Sequence, residues 1–179
     1  VQGGIKPSEN SVPLVSLGSV YFEPLWLFVR SQEPVNRLTQ LKDKRVAIGS
    51  EGSGTRAIAL ELLGDAGVME QIQSLDAGGE SAEKMLYSGE VDAVFMVGSP
   101  RVKAIRELAH REDVHLLDFK RARAYSRYHT SLSAVPLYQG MLNLAEDIPP
   151  HQHELVATAA NLVVSEKFHY ALSTLVLQT

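Results

Sequence analysis

Short runs of β-forming residues alternate with longer helical stretches from residue 45 onward, and this alternation limits the chain to few folds. Strands are predicted at residues 45–49, 72–76, 91–97, 114–119 and 132–137. Helices are predicted between them at residues 55–66, 81–87, 100–111 and 122–128. Strands that alternate with helices build a parallel sheet that is covered by helices. The central part of the chain therefore predicts a doubly wound α/β lobe.

Both flanks of this central part follow a different pattern. Residues 12–30 contain two extended runs, broken near Gly18 and Pro24, and no helix follows them directly. Residues 154–165 form another strand-like run, and Phe168, Leu172 and Leu175 then recur at helical spacing. We expect the two flanks to belong to another sheet, which would be part of a second lobe.

The polar, proline-bearing segments 31–44 and 146–153 are predicted as crossings between the two lobes. The predicted fold class is therefore α/β, with one complete doubly wound lobe and part of a second lobe. The predicted domains are residues 1–42, a partial first lobe with its crossing, residues 43–148, the complete second lobe, and residues 149–179, the return crossing with the rest of the partial lobe.

Composition excludes several classes of function. A formal net charge of −4 argues against a nucleic-acid partner, because binding to phosphates requires clustered Lys and Arg. The chain has no cysteine, which excludes disulfides, thiolate zinc sites and cysteine nucleophiles. No apolar run approaches the roughly 18 residues that span a bilayer. The chain begins at Val1 without a Met or a leader sequence, which predicts a processed or trimmed product.

The segment "GSEGSGT", residues 49–55, joins a predicted strand to a predicted helix. Ligands bind at such positions in open α/β sheets, because free backbone N–H groups and the helix dipole favour negative charge there. The segment differs from a nucleotide-binding P-loop, since Thr55 and Arg56 occupy the positions of the lysine and the hydroxyl. Two interpretations of the segment stay open: a loop that binds a small anion, and a capped turn without a ligand. The candidate anion-binding residues are Ser50, Gly52, Ser53, Gly54, Thr55 and Arg56.

The segment "VGSP", residues 97–100, repeats this arrangement. A predicted buried strand ends at Gly98, Ser99 is a helix-capping residue, and Pro100 suits the first helical position. Two such loops on one parallel sheet open at the same edge, so their donors could converge on one anion. Helix capping alone is the alternative for Ser99.

Two other motifs are given a plain structural interpretation. "HQHE", residues 151–154, has no third metal ligand nearby, so we predict a solvated loop and no metal. "KRARAYSR", residues 120–127, is predicted to be a solvated helix face. The triplet Gly52-Ser53-Gly54 lacks the outer glycine of a nucleophile elbow, and no acid, base and nucleophile occur together. We therefore expect no catalytic residue, no resident metal and no cofactor.

Six segments resemble a known family in their order and spacing: "VQGG", "YFEPLWLFVR", "LKDKRVAIGSEGSGTRAIALELLGDAGV", "GEVDAVFMVGSP", "VHLLDF" and "ANLVVSEKFHYAL". The family is the TAXI-type solute receptors of TRAP transporters, which have the type II periplasmic-binding-protein fold. The resemblance covers nearly the whole chain. It implies a non-enzymatic, periplasmic (extracytoplasmic) solute-binding protein that closes two lobes on a small organic acid or amino acid.

The same resemblance implies partners and further site residues. The membrane subunits of a TRAP transporter would receive the ligand. Longer members carry membrane helices beyond the point that corresponds to Thr179, so a membrane-anchored parent protein is one expectation. Carried over by position, the cleft would be lined by Gln2, Gly3, Tyr21, Glu23, Ser50, Gly52, Ser53, Gly54, Thr55, Gly98, Ser99 and Pro100.

Two other functions remain open. The same fold serves as a ligand-sensing domain in signalling proteins, and gene context would separate sensing from transport. Transferases with this fold also exist, and Ser53 or Thr55 could then orient a phosphate. Turnover would need an acid or a base in the cleft, and the sequence offers no convincing one.

Overall fold

The computed structural model describes residues 13–177, without the side chains of residues 170, 176 and 177. Its strands are β1 (Leu14–Arg30), β2 (Arg45–Ala47), β3 (Gln73–Leu75), β4 (Ala93–Val97), β5 (Val114–Leu116), β6 (Leu132–Leu137) and β7 (His153–Ser165). Its α-helices are α1 (Gly54–Asp65), α2 (Gly79–Ser88), α3 (Lys103–Ala109), α4 (Ala122–Tyr128) and α5 (Tyr170–Leu177). Short 3-10 turns lie at Leu38–Leu41 and Met69–Gln71. The strands form one sheet in the order β3-β2-β4-β1-β7-β6, and β5 pairs with β1.

Strands β2, β3 and β4 form the parallel part of the sheet. Strands β3 and β4 pair with opposite edges of β2. Connections between parallel strands are right-handed, so two connections that run in opposite directions place α1 and α2 on opposite faces of the sheet. The predicted α/β fold class, with a doubly wound unit, is confirmed. The sheet as a whole is mixed, because β1 runs antiparallel to β4, β5 and β7, and β6 runs antiparallel to β7.

Strand β1 lies in the middle of the sheet. Its residues Leu25–Val29 pair with β4, and the same residues are almost completely buried. The prediction of a separate sheet for residues 12–30 is therefore wrong for the second half of β1. The sequence "LWLFV" is an uninterrupted apolar run, which is typical of a strand that is covered on both faces. The buried part of β1 includes Trp26 and Phe28, whose rings stack with their centroids 6.4 Å apart.

The first half of β1 and the second half of β7 extend beyond the core as a two-stranded ribbon, which we call the β1/β7 ribbon (residues 14–23 and 159–165). Val20 is 64% exposed and Phe22 is 53% exposed. Consecutive strand residues point to opposite faces, so the exposed Tyr21 shows that both faces of the ribbon are open. The predicted division into lobes stays a prediction. The hydrophobic core around the parallel strands also includes Leu25–Val29 and residues 155–157.

The segment "HQHE" is only partly a solvated loop. His151 is exposed, but β7 begins at His153, which is 7% exposed. The Nδ1 atom of His153 contacts the carbonyl oxygen of His151 at 3.0 Å, and the two rings stack at 4.6 Å. The prediction of a solvated loop is wrong for His153, whose side chain belongs to the packed start of β7.

The two halves of β1 offer a matched pair of phenylalanines for a stability test. We expect Phe28→Ala to lower the free energy of unfolding by about 3–5 kcal/mol, because a fully buried ring is removed. Phe22→Ala, on the exposed ribbon of the same strand, should cost no more than about 0.5 kcal/mol. Urea unfolding followed by circular dichroism measures both values. Equal losses would show that the ribbon is packed as firmly as the core.

Stability should also depend on pH through His153. Burial lowers the pKa of His153 below its ordinary value, so the unfolded chain takes up the proton more readily than the folded chain. The contribution of His153 to stability is thus complete above about pH 6.5 and is lost as the pH falls below it. The variant His153→Phe should lose less stability than wild type between about pH 7.5 and about pH 5.5. Equal losses of stability in wild type and in His153→Phe over this range would contradict the prediction.

Candidate functional site

The carboxyl ends of β3, β2 and β4 lie side by side at one edge of the sheet, because these strands are adjacent and parallel. A loop with at least one glycine follows each strand: residues 76–78, 48–53 and 98–102. We call these three loops the carboxyl edge. Strand β1 reaches the same edge from the opposite direction, since the amide of Gly98 donates to the carbonyl oxygen of Pro24 at 3.2 Å.

The loop after β2 folds back tightly on the first turn of α1. Gly49 has a φ of 101°, and a Cβ atom at this position would lie 2.7 Å from the amide nitrogen of Arg56 and 2.9 Å from the hydroxyl oxygen of Ser53. Its amide donates to the carbonyl oxygen of Ala77 at 3.0 Å, which ties the loop to the chain after β3. Only glycine fits this position without a shift of the backbone.

Helix α1 begins at this loop and presents backbone donors there. Ser53 is the N-cap residue, and its hydroxyl accepts a hydrogen bond from the amide of Arg56 at 3.2 Å. The amides of Gly54 and Thr55 are the first two of the helix, and neither has an acceptor among residues 13–177. The helix dipole adds positive potential at the same place. The loop can therefore offer two N–H groups and a hydroxyl to an anion.

Arg56 points toward the loop after β3. Its guanidinium Nη1 forms an ion pair with the Oδ1 atom of Asp76. The Asp76 side chain is 56% exposed, so the carboxylate is open to solvent and to a ligand as well as to Arg56. Analysis of the sequence missed Asp76. The segment "DAGG", residues 76–79, begins at the last residue of a predicted strand and precedes a predicted helix, and this pattern is the signal that could have found Asp76.

The loops after β2 and β3 are in close contact. A Cβ atom at Gly78 would lie 3.1 Å from the hydroxyl oxygen of Ser50 and 3.2 Å from its amide nitrogen. Gly78 is the N-cap residue of α2, and Gly79, with a φ of 55°, is the first residue of that helix. The structure therefore brings the predicted residues Ser50–Arg56 together with residues 76–79.

The loop after β4 differs from its prediction. Helix α3 begins at Lys103 with Val102 as its N-cap, so Ser99 does not cap it and Pro100 is not its first residue. Both earlier residues belong to a turn, in which the Ser99 hydroxyl accepts from the amide of Arg101 at 3.2 Å. The indole Nε1 of Trp26 donates to the carbonyl oxygen of Gly98 at 2.9 Å and holds the start of this turn.

Ser99 lines a cavity to which the loop after β2 does not contribute. A cavity of about 500 Å³ lies beside Ser99, and residues 50–56 are not part of its wall. Its wall is formed by Ser99, Pro100, Arg101, Arg106, Met141 and Leu142. The two arginines are cations that analysis of the sequence did not assign to this edge.

Of the four candidate residues that only the resemblance contributed, the structure describes Tyr21 and Glu23. The Tyr21 hydroxyl donates to Oε1 of Glu23 at 3.3 Å, and the charge of Glu23 raises the pKa of Tyr21. Both residues precede Pro24 on β1, and Pro24 is the residue that accepts from the amide of Gly98 at the carboxyl edge. Gln2 and Gly3 lie outside the residues that the structure describes.

Residues 13–177 contain no group of three or more His, Cys, Asp or Glu side chains that could hold a metal ion. In the same range, no helix combines the length and the apolar character needed to cross a membrane. At the carboxyl edge, two acidic side chains contact candidate residues: Asp76 is paired with Arg56, and Glu23 accepts from the Tyr21 hydroxyl.

The fold of this chain is similar to that of several solved structures. The alkanesulfonate-binding protein SsuA from Xanthomonas axonopodis pv. citri bound to MOPS is 18% identical, with a TM-score of 0.51, and the match covers 92% of this chain and 45% of that chain. The AvGluR1 ligand-binding domain in complex with phenylalanine is 10% identical, with a TM-score of 0.51, and 92% of this chain covers 54% of that chain. An ancestral arginine-binding protein bound to arginine is 17% identical, with a TM-score of 0.50, and 91% of this chain covers 54% of that chain.

These matches confirm the predicted type II periplasmic-binding-protein fold class. The chain spans about half the length of these structures. No curated protein matches it in sequence. The NMT1-like family matches residues 4–165 of the 179 residues, and the chain therefore belongs to the NMT1-like family.

Proposed function

We propose that the chain is part of a solute-binding receptor that captures a small organic acid or amino acid and releases it unchanged. The observation that carries this proposal is the start of α1 at the carboxyl edge, where the amides of Gly54 and Thr55 have no acceptor among residues 13–177. The Ser53 hydroxyl and the Arg56 guanidinium lie in the same turn. A carboxylate would complete these donors, and each hydrogen bond to a charged group is worth roughly 1.5–3 kcal/mol.

The molecules bound in three structures of similar fold support an anionic ligand. The structures are an alkanesulfonate-binding protein with MOPS, an arginine-binding protein with arginine, and a ligand-binding domain with phenylalanine. Each of these small molecules carries a sulfonate or a carboxylate. The shared fold therefore accommodates anionic groups, and the start of α1 supplies donors for one.

The ion pair between Arg56 and Asp76 gives the proposed site a choice of ligand charge. A dicarboxylate would take Arg56 for its second carboxylate and would displace Asp76. An amino acid would instead place its ammonium group at Asp76, which is more than half exposed, or at Glu23. In both cases a charged side chain exchanges one partner for another. An unpaired charge would be costly in a site that excludes water.

Two lobes would close around this ligand. We place the complete lobe at residues 43–148, with Leu25–Val29 and residues 155–157 packed into its core. Residues 1–42 and 149–179 would contribute the rest of their length to the partial lobe. The β1/β7 ribbon, which leaves the core as two paired strands, would be the connection between the lobes.

The cellular role follows from the same proposal. A periplasmic receptor of the TAXI type would deliver its ligand to the membrane subunits of a TRAP transporter. Its parent protein would be anchored in the membrane. A ligand-sensing domain of a signalling protein is the second candidate, and gene context separates the two. A transferase is disfavoured because the two acids that contact candidate residues are both engaged, Asp76 by Arg56 and Glu23 by the Tyr21 hydroxyl.

Substitution of Ser53 separates its capping role from ligand binding. Ser53→Asp and Ser53→Asn both keep a side-chain acceptor for the amide of Arg56, so α1 should stay capped in both variants. The new charge of Ser53→Asp should repel a bound carboxylate and weaken binding by at least about tenfold. Ser53→Asn should bind within about threefold of wild type.

The measurement uses the parent protein, purified without denaturation. Native mass spectrometry identifies the small acid that co-purifies, and calorimetry then measures the binding of that acid to the variants. Thermal melting confirms that both variants are as stable as wild type. If Ser53→Asp binds the acid as tightly as Ser53→Asn, the start of α1 is a capped turn and the proposed site is wrong.

Phe22 tests the proposed second lobe. In the 179-residue chain, Phe22 is 53% exposed and Phe22→Ala should have little effect. In a longer chain that contains the whole second lobe, the ring would be covered, and Phe22→Ala should lower the free energy of unfolding by about 2–4 kcal/mol. Urea unfolding of both proteins gives the comparison. An equally small effect in the longer chain would argue against a lobe packed on this face of the ribbon.

A further inference from the structure

A second concave site lies at the other end of α1. It is a cavity of about 470 Å³ between the turn at Leu38–Leu41, the last residue of α1, Asp65, and helix α4. Helix α1 has 12 residues, so its two ends are about 18 Å apart. The cavity is therefore separate from the carboxyl edge, and its volume lies within the range of about 300–1,000 Å³ that is typical of small-molecule sites.

The wall of this cavity combines an apolar floor with aromatic and polar sides. Leu117 and Phe119 are almost fully buried and form apolar surface. The ring of Tyr125 is partly buried, and that of Tyr128 is largely exposed. Such a wall suits a ligand with an aromatic or otherwise flat apolar body.

Three cations line the same cavity: Arg37, Lys120 and Arg121. None of them forms an ion pair within residues 13–177. Lys120 and Arg121 come from the basic segment 120–127, which was predicted to be a solvated helix face. Segment 120–127 is thus not only a solvated face, because part of it lines a cavity and its Ala122 is buried.

The acid in the cavity wall, Asp65, is directed to a different partner. Its Oδ2 atom contacts Nε2 of His129, and Nδ1 of the same ring contacts Oε1 of Glu61 at 2.8 Å. This contact leaves the three cations without a carboxylate partner. Burial raises the pKa of Tyr125, while the nearby charge of Arg121 acts against this rise, which places the guanidinium within electrostatic reach of the Tyr125 hydroxyl.

We propose that this cavity is an accessory binding site for a small organic anion with an aromatic body, such as an aromatic carboxylate. Arg121 and Lys120 bind the anionic group, and Arg37, from another part of the cavity wall, adds a third positive charge. Phe119 and Tyr125 contact the aromatic body. A nucleic acid is a poorer occupant, because the whole chain carries a net charge of −4 and the cations surround a concave site of small-molecule size.

The test uses 2-naphthoate as the probe and calorimetry on the 179-residue chain. Wild type should bind 2-naphthoate more tightly than 2-naphthalenemethanol, which has the same body without the charge, and more tightly than acetate, which has the charge without the body. Arg121→Gln should weaken the binding of 2-naphthoate by about tenfold. Ala124→Trp should fill the cavity, which Ala124 lines, and should abolish binding.

Arg123→Gln is the matched control, because it removes the same charge two residues further along the chain, from an exposed position on α4 outside the cavity wall. It should bind 2-naphthoate like wild type, and so should Ser53→Asp at the opposite end of α1. If Arg121→Gln and Arg123→Gln weaken the binding of 2-naphthoate equally, the probe is attracted by the overall positive charge of the basic segment and not by a site in the cavity. If Ser53→Asp loses binding, 2-naphthoate binds at the carboxyl edge and not in this cavity. If 2-naphthalenemethanol binds as tightly as 2-naphthoate, the cavity is not an anion site. Each of these three results would overturn the proposal.

Discussion

The pairing of β1 with β4 on one edge and with β5 and β7 on the other holds the two parts of the sheet together. Without residues 25–30, the parallel strands β3, β2 and β4 would have no connection to β7 and β6. The same strand also positions the candidate site. Trp26 donates from its indole to Gly98, and Pro24 accepts from the amide of Gly98, so the loop after β4 is fixed by β1 rather than by α3.

The loop after β2 depends on a different constraint, which is the space available around its backbone. Gly49 has a positive φ and lies so close to Arg56 and Ser53 that a Cβ atom would collide with them. This close approach turns the amides at the start of α1 toward the carboxyl edge. In the proposed site, backbone groups would provide the donors to the anion, and the side chains of Arg56 and Asp76 would decide which anion is preferred.

Local patterns predicted the elements between residues 45 and 137 because each strand and helix there has its own period and its own stop. Helix α4 and strand β6 have the bounds that the sequence predicted. The same reasoning failed for β1, where Gly18 and Pro24 were interpreted as a break. Gly18 adjoins a shift in the β1–β7 register, and Pro24 lies within the strand with its carbonyl accepting from Gly98. The pair Arg56–Asp76 and the turn at Ser99 depend on tertiary contacts, which no local period encodes.

The two ends of α1 explain why one proposed site is visible in the sequence and the other is not. At the first end, the helix dipole is positive and free amides already favour an anion, so a pattern of glycine and serine is sufficient. At the far end, the last carbonyl groups create a negative potential, and an anion can bind only if side-chain cations outweigh it. Arg37 and Arg121 are brought together there by the fold from distant parts of the chain. A site that rests on backbone geometry leaves a local motif, whereas a site that rests on converging side chains becomes visible only in the folded structure.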